Sequence, residues 1–101
     1  MTPKSPHDKI AEQLAKALKT TYNPGKGVDI KKPGMAAEVE LTPETFARGI
    51  QQLRPYKGRR YLVTSSRHIN EAVERVKNTK IGVMKPNGTV VKPATPARRK
   101  K

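Results

Sequence analysis

Apolar residues in this chain switch repeatedly between helical and extended spacing, and this switching limits it to folds built from short, alternating helices and strands. Residues 10–22 carry an apolar residue at every fourth position, which is the stripe of an amphipathic helix. Residues 35–41 instead alternate apolar residues with glutamates, which is typical of a strand with one covered face. The pattern predicts, in chain order, a helix at 8–21, strands at 27–30 and 35–41, a helix at 43–53, a strand at 60–64, a helix at 68–77, and strands at 80–84 and 89–91.

This element order, α-β-β-α-β-α-β-β, predicts an α/β fold of the mixed α+β kind, with a small mixed sheet of about five strands flanked by helices. Strands that are separated by a helix become parallel neighbours through right-handed crossovers. Pro33-Gly34 and Asn87-Gly88 are turn signals between extended segments. They predict an antiparallel hairpin at each end of the sheet.

The chain has 101 residues and no cysteine, so it is one small domain without disulfides, thiolate metal ligands or a cysteine nucleophile. Only 34% of its residues are apolar, which leaves a thin core. We expect a disordered N-terminus at 1–7, a single domain at 8–92 and a flexible basic tail at 93–101. No apolar run is long enough to cross a bilayer and no secretory signal is present, so the expected location is cytoplasmic, with no membrane partner.

Charge is the strongest indication of a partner, because 22 Lys and Arg oppose 8 Asp and Glu, a net charge of +14. Such a balance favours binding to a polyanion. The expected partner is nucleic acid, and DNA is the first candidate. Residues 54–67 form a basic run without an acid, and Arg59 and Arg60 are expected to flank a buried strand there, with Tyr61 pointing into the core. The residues predicted to bind nucleic acid are Arg54, Tyr56, Lys57, Arg59, Arg60, Arg67, Arg98 and Arg99.

Three of the eight acids, Asp29, Glu38 and Glu40, fall within twelve residues. Glu38 and Glu40 share one face of a predicted strand, and Asp29 lies on the preceding strand. Carboxylates brought together repel one another unless a cation lies between them, and Mg²⁺ or Mn²⁺ prefers such oxygen ligands. A metal held there would activate water and polarise a phosphodiester. The alternative is a solvated strand face with no chemistry.

Asp29, a turn, the string Glu38-Val39-Glu40-Leu41, a helix and a basic strand together resemble the PD-(D/E)XK superfamily, the restriction-endonuclease-like nucleases. The likeness covers residues 8–91, and small Holliday-junction resolvases and nuclease-like domains of plasmid replication-relaxation proteins have a similar layout. The resemblance implies a nuclease fold and makes Asp29 and Glu38 metal ligands. It also suggests Glu12 as an additional acid, and Gln51 or Gln52 with Tyr56 as a Gln-containing helix.

Glu40 departs from this family, because it stands where the family has a lysine that orients the attacking water. Lys31 or Lys32, across the hairpin, would supply the missing cation, or Glu40 would be a further metal ligand, or the site would have lost its activity. The candidate catalytic set is therefore Asp29, Glu38, Glu40 and Lys31. His7 is expected to be inert in the N-terminus, and His68 to cap a helix or contact a phosphate.

Three functions fit these observations. The first is a small divalent-metal-dependent DNA endonuclease, for which a homodimer is one possible assembly because it would cut both strands. The second is a non-catalytic nucleic-acid-binding module with the same fold. The third is a basic subunit of a nucleoprotein or phage assembly.

Overall fold

The computed structural model describes residues 6–20, 22 and 28–95. Within these ranges the chain forms three helices and five strands, and a single 3-10 turn leads into each of the last two helices. The elements are α1 (Pro6–Ala17), β1 (Ile30–Lys32), β2 (Met35–Val39), α2 (Phe46–Leu53), β3 (Arg59–Val63), α3 (Ile69–Val76), β4 (Gly82–Met84) and β5 (Val90–Lys92), with 3-10 turns at Pro43–Thr45 and Ser66–His68.

The five strands form one mixed sheet whose spatial order is the same as the chain order. β1 and β5 are the antiparallel edge strands, while β2, β3 and β4 are parallel neighbours. The β4–β5 hairpin turns at Asn87, whose side chain accepts the Thr89 N–H at 2.9 Å, and at Gly88, whose φ of +93° suits glycine. The predicted fold class, element order and both hairpins are confirmed.

Each face of the sheet is covered by a separate apolar layer. Alternate residues of β2 and β3 face α1, and the residues between them face α2 and α3. The α1 side includes Leu14, Val39 and Val63, and the other side includes Phe46 and Leu62, all fully buried. Both crossover helices lie on the same face, as two right-handed crossovers require.

The connections give the sheet two ends of different character. The two crossovers begin at the carboxyl ends of β2 and β3 and return to the amino ends of β3 and β4. α1 runs the same way, because His7 near its start contacts the backbone of Val39 and the Leu18 carbonyl after its end accepts a hydrogen bond from Lys32. "Carboxyl end" and "amino end" below refer to the ends of β2 and β3.

Several predicted boundaries are wrong by a few residues. α1 begins at Pro6, because proline suits the first turn of a helix, and it ends at Ala17 rather than at residue 21. β1 begins at Ile30, so Asp29 precedes the strand instead of lying in it. β2 ends at Val39, β4 begins at Gly82 and α2 begins at Phe46, three residues later than predicted. The start of β2 and the ends of α2 and β4 are as predicted, and the other bounds differ by one or two residues.

Local details also differ from expectation. Thr42 precedes Pro43 and would be expected to cap the helix that follows, but its side chain makes no capping hydrogen bond, and its carbonyl accepts the Thr45 hydroxyl at 3.0 Å. Within the predicted tail, Ala94 is buried and the Thr95 N–H donates to the Lys80 carbonyl at 2.9 Å. Arg98 and Arg99 lie outside the described residues, as do residues 1–5 of the predicted disordered N-terminus. No helix in the described part of the chain is long and apolar enough to cross a membrane.

Replacing Gly58 with alanine tests the contact between the β1–β2 turn and the start of β3. A Cβ at Gly58 would lie 2.4 Å from the Gly34 carbonyl oxygen, and the Arg59 N–H donates to that same oxygen at 2.9 Å. We expect Gly58→Ala to lower the free energy of unfolding by about 1–3 kcal/mol in urea titrations. Ser66→Ala, at an exposed position, should change it by less than about 0.5 kcal/mol; equal stability of both variants would contradict the contact.

Candidate functional site

The acids singled out from the sequence come together at the carboxyl end of β2. Asp29 lies just before β1, Glu38 is in β2 and Glu40 follows it, and their exposed fractions are 8%, 7% and 8%. Glu38 and Glu40 face α2 and α3, because they alternate with Val39, which faces α1. These buried carboxylates are called the acid cluster below, and their burial excludes the solvated strand face considered above.

Asp29 is fixed by hydrogen bonds from two directions. Its Oδ2 accepts the Val39 N–H at 2.9 Å and lies 3.1 Å from Nε2 of His7. The same Nε2 lies 3.0 Å from the Val39 carbonyl oxygen, and because both partners are acceptors, Nε2 carries the proton. His7 is therefore not inert in a disordered terminus. It joins α1 to the acid cluster.

Glu38 is the member of the cluster whose protonation is most disturbed. Burial, followed by the charge of Asp29 and by the hydrogen bond and charge of Glu40, raises the pKa of Glu38 from 4.5 to about 8. The Asp29 N–H, which donates to Oε1 of Glu38 at 3.1 Å, opposes this rise but does not cancel it. Near neutral pH the carboxyl group of Glu38 thus keeps a proton, because burial and the acidic side chains beside it both disfavour its charged form.

Glu40 packs directly against the helix that follows it. A Cβ added to Gly49 of α2 would lie 2.6 Å from Cγ and 3.0 Å from Oε2 of Glu40. A glycine inside a helix costs about 1 kcal/mol relative to alanine, and the space it leaves here is filled by Glu40. The Glu40 N–H also donates to the Val63 carbonyl at 2.9 Å, which extends the β2–β3 pairing beyond the strands.

Thr64 adds an unsatisfied polar group at the same end of the sheet. It follows β3, has an exposed fraction of 0%, and its Oγ1 makes no hydrogen bond. The register pairs Glu38 with Leu62, so the next residues on that face are Glu40 and Thr64. A buried hydroxyl is rarely left without a partner, and here it lies beside the acid cluster.

The cations proposed to complete this site lie elsewhere. Nζ of Lys31 is 5.3 Å from the centre of the Tyr56 ring, at the amino end of the sheet. Nζ of Lys32 donates to the Leu18 carbonyl at 2.9 Å on the α1 side. Lys31 pairs with Ala36, at the amino-end half of β2, and its side chain extends away from Glu38 towards Tyr56. In this conformation neither lysine neutralises the acid cluster.

The donor chemistry of the cluster suits a hard divalent cation, because carboxylate and hydroxyl oxygens are the available ligands. Among residues 6–20, 22 and 28–95, however, no three His, Asp or Glu side chains already stand in a ligand arrangement. Backbone N–H groups occupy one oxygen each of Asp29 and Glu38. A carboxylate has two oxygens with several lone pairs, so these hydrogen bonds leave acceptor positions for a metal.

The predicted nucleic-acid residues are divided between the two ends of the sheet. Arg67 is exposed in the turn after β3, at the carboxyl end with the acids. The others in the described chain lie at the amino end, because α2 returns there before β3 begins. Of these, Arg54, Lys57 and Arg59 are exposed and Tyr56 is half-buried.

Arg60 does not flank the strand as expected. It lies inside β3 with an exposed fraction of 9%, and its Nε has no hydrogen-bond partner. Its register partner Ala36 and the alternation of β3 place it on the face that α2 and α3 cover. Tyr61 points into the core as predicted, on the opposite face.

His7 is the site residue that the sequence interpretation missed. The available signal was Pro6, which favours the first turn of a helix and would have moved the start of α1 ahead of His7. Glu12, suggested as an additional acid, is exposed in the middle of α1. Gln51 and Gln52 are exposed on α2.

The raised pKa of Glu38 predicts that stability falls as pH rises. Between about pH 4.5 and 8 the folded chain holds a proton that the unfolded chain has released, so each increase in pH in this window favours unfolding. Glu38→Gln keeps the shape without the charge, and it should be more stable than the wild type at pH 9 by on the order of 2 kcal/mol.

Urea titrations at pH 5, 7 and 9 measure the difference in the free energy of unfolding between Glu38→Gln and the wild type. This difference should be near zero at pH 5. Glu44→Gln removes an exposed acid outside the cluster and is the matched control. If Glu38→Gln and Glu44→Gln follow the same pH dependence, Glu38 does not hold a proton in the folded state.

Comparison with known proteins adds no further constraint. No family model, curated protein or solved structure matches the chain. The functional conclusion therefore comes from the arrangement of the residues themselves.

Proposed function

We propose that this domain is a small nuclease-like protein that binds nucleic acid, DNA in the first place, and hydrolyses phosphodiester bonds with Mg²⁺ or Mn²⁺. The observation on which the proposal depends is the acid cluster, in which a strongly basic chain buries three of its eight acids together. Asp29, Glu38 and Glu40 would hold the metal. The metal would activate water and stabilise the negative charge that develops on the phosphate.

Three features of the cluster support a cation as its missing component. The pKa of Glu38 is raised by burial and then by the neighbouring acids Asp29 and Glu40, and a divalent ion would supply a positive charge among them. Thr64 leaves a buried hydroxyl without a partner on the same face. His7 and the Val39 N–H hold Asp29 in one orientation, as the second layer of contacts does around metal ligands in other proteins.

The resemblance to PD-(D/E)XK nucleases drawn from the sequence also supports the proposal. Asp29 and Glu38 lie at the carboxyl end of the parallel β2–β3 pair, which is the end of a parallel sheet where ligands commonly bind. Fold alone does not establish an activity, and the acids must be tested directly.

A non-catalytic nucleic-acid-binding module is the second candidate, and one observation favours it. Glu40 stands at the family's lysine position, and Lys31 and Lys32 contact Tyr56 and Leu18 instead of the acids. The described chain thus offers no lysine at the site to orient water. This candidate predicts binding without cleavage.

Cleavage assays separate the two candidates. Labelled duplex, single-stranded and branched DNA would be incubated with the protein in Mg²⁺, in Mn²⁺ and in EDTA. We expect cleavage only with metal, and we expect Glu38→Gln to reduce it at least 100-fold because a ligand charge is lost. Glu44→Gln is the control and should stay within threefold of the wild type. Binding without cleavage under every condition would favour the non-catalytic module.

Glu40→Lys tests the departure from the family pattern. If Glu40 is a metal ligand, the lysine should lower cleavage and weaken Mn²⁺ binding measured by calorimetry. If Glu40 only occupies the lysine position of a weakened site, the substitution should raise cleavage. Thermal melting of the variant would establish that it is folded, because Glu40 packs against Gly49.

A further inference from the structure

The amino end of the sheet carries a basic surface that is separate from the acid cluster. It is formed by the exposed or half-buried residues of the β1–β2 hairpin and of the segment that joins α2 to β3, and is called the amino-end surface below. Its members are Lys31, Arg54, Tyr56, Lys57 and Arg59. The five residues of β3 separate it from the acid cluster, a distance of about 15 Å along the strand.

The backbone beneath this surface is held in place. The Arg59 N–H donates to the Gly34 carbonyl at 2.9 Å, and the contact of Gly58 with Gly34 leaves no room for a Cβ. Nζ of Lys31 lies 5.3 Å from the centre of the Tyr56 ring, which joins the hairpin to the α2–β3 segment. The charges are thus presented on a fixed scaffold, so that little backbone ordering is needed when a ligand binds.

No acid offsets this charge within its two segments. Residues 30–36 and 54–61 contain no Asp or Glu. Glu74, on the last turn of α3, is already paired with Lys77 at 3.1 Å. A surface with one sign of charge on two adjoining segments attracts a polyanion.

Arg60 is an independent observation that favours an anion at the amino end of the sheet. It lies at the same end of β3, more than nine-tenths buried, with Nε unpartnered. A buried N–H group without an acceptor loses its hydration with nothing in return, and an anion bound nearby would reduce that cost.

The surface lacks the aromatic platform that single-strand binders use. The chain has four aromatic residues, Tyr22, Phe46, Tyr56 and Tyr61, and in the structure none of them is exposed. Tyr56 also packs against the apolar layer under α2 and α3, and Lys31 lies over its ring. Stacking on bases supplies much of the affinity for single strands, whereas a duplex offers a denser row of phosphates and needs no stacking.

We propose that the amino-end surface binds the paired phosphate rows of a nucleic-acid duplex, about 15 Å from the acid cluster and without a metal ion. The inference rests on the proposed function only for its ligand class, nucleic acid, and not for metal binding or cleavage. The surface anchors a duplex while the acid cluster is presented to a different part of it.

The experiment measures binding by fluorescence anisotropy in EDTA, which removes any metal-dependent step. The probes are a labelled 20-base-pair DNA duplex, a single strand of equal length and a matching RNA duplex, at several salt concentrations. We expect the wild type to bind a duplex at least tenfold more tightly than the single strand. The DNA and RNA arms identify which duplex supplies the phosphate rows, and tight binding of either supports the proposal.

Lys57→Ala/Arg59→Ala removes two exposed charges of the surface. It should weaken duplex binding at least tenfold and reduce the slope of log affinity against log salt by about 2. Lys9→Ala/Arg48→Ala removes two exposed charges outside the surface and should change affinity less than threefold. Equal losses for both double variants would overturn the proposal, because they would reflect net charge alone. Equal or tighter binding of the single strand, or equal competition by polyglutamate, would also overturn it.

These outcomes are separate from those of the proposed function. Glu38→Gln should bind the duplex with the affinity of the wild type in EDTA even where cleavage is lost. If no condition gives cleavage but Lys57→Ala/Arg59→Ala still weakens duplex binding, duplex binding by the amino-end surface is supported and the nuclease proposal fails.

Arg60→Met tests the buried guanidinium with two readouts that move in opposite directions. Methionine fills similar space without the charge, so the melting temperature should rise while duplex affinity falls at least threefold. A lower melting temperature with unchanged affinity would make Arg60 a structural residue. The proposal would then be judged by the Lys57→Ala/Arg59→Ala variant alone.

Discussion

The parallel pairing of β2 with β3 is the interaction on which the rest of the structure depends. Five residue pairs lie in register, from Met35 with Arg59 to Val39 with Val63, and both faces of the pair are covered by helices. A shift by one residue would exchange the two faces, moving Glu38 to the α1 side and Val39 under α2. The same register that buries the core therefore also decides where the acids lie.

Burial of the acid cluster opposes the stability that this core provides. A carboxylate among other carboxylates loses hydration without gaining an opposite charge, and Glu38 responds by keeping its proton. The cluster survives because its partners are backbone N–H groups and His7, which are fixed by the surrounding elements. Local destabilisation of this kind, surrounded by well-packed structure, is common where a protein binds a ligand.

The sequence predicts the fold well because the signals that define each helix, strand and turn lie between residues close together in the chain. Period-four and period-two spacing identify the elements, and Pro33-Gly34 and Asn87-Gly88 identify the hairpins, without knowledge of any distant contact. The gathering of Asp29, Glu38 and Glu40 is also predicted, since it follows from two adjacent strands. What fails depends on contacts between residues far apart in the chain. His7 reaches Asp29 across 22 positions, and Lys31 turns towards Tyr56.

Arg60 shows why a charge pattern alone does not locate a surface. In the sequence it is indistinguishable from Arg59, yet the alternation of β3 exposes one and buries the other. The basic run at 54–67 reads as continuous, but β3 runs through it and carries Arg67 to the other end of the sheet. Only the direction of the strand reveals that the run contains two separate regions.

The two edge strands have a consequence for self-association. β1 and β5 are each three residues long, β1 contains Lys31 and Lys32, and β5 ends at Lys92. Nζ of Lys92 donates a hydrogen bond to the Ile81 carbonyl at 2.6 Å. Short edges that bear lysines resist the addition of another strand, since each unpaired backbone segment is brief and flanked by like charges. Growth of the sheet from one copy into the next is thereby discouraged, which protects a chain with a thin core from edge-to-edge aggregation.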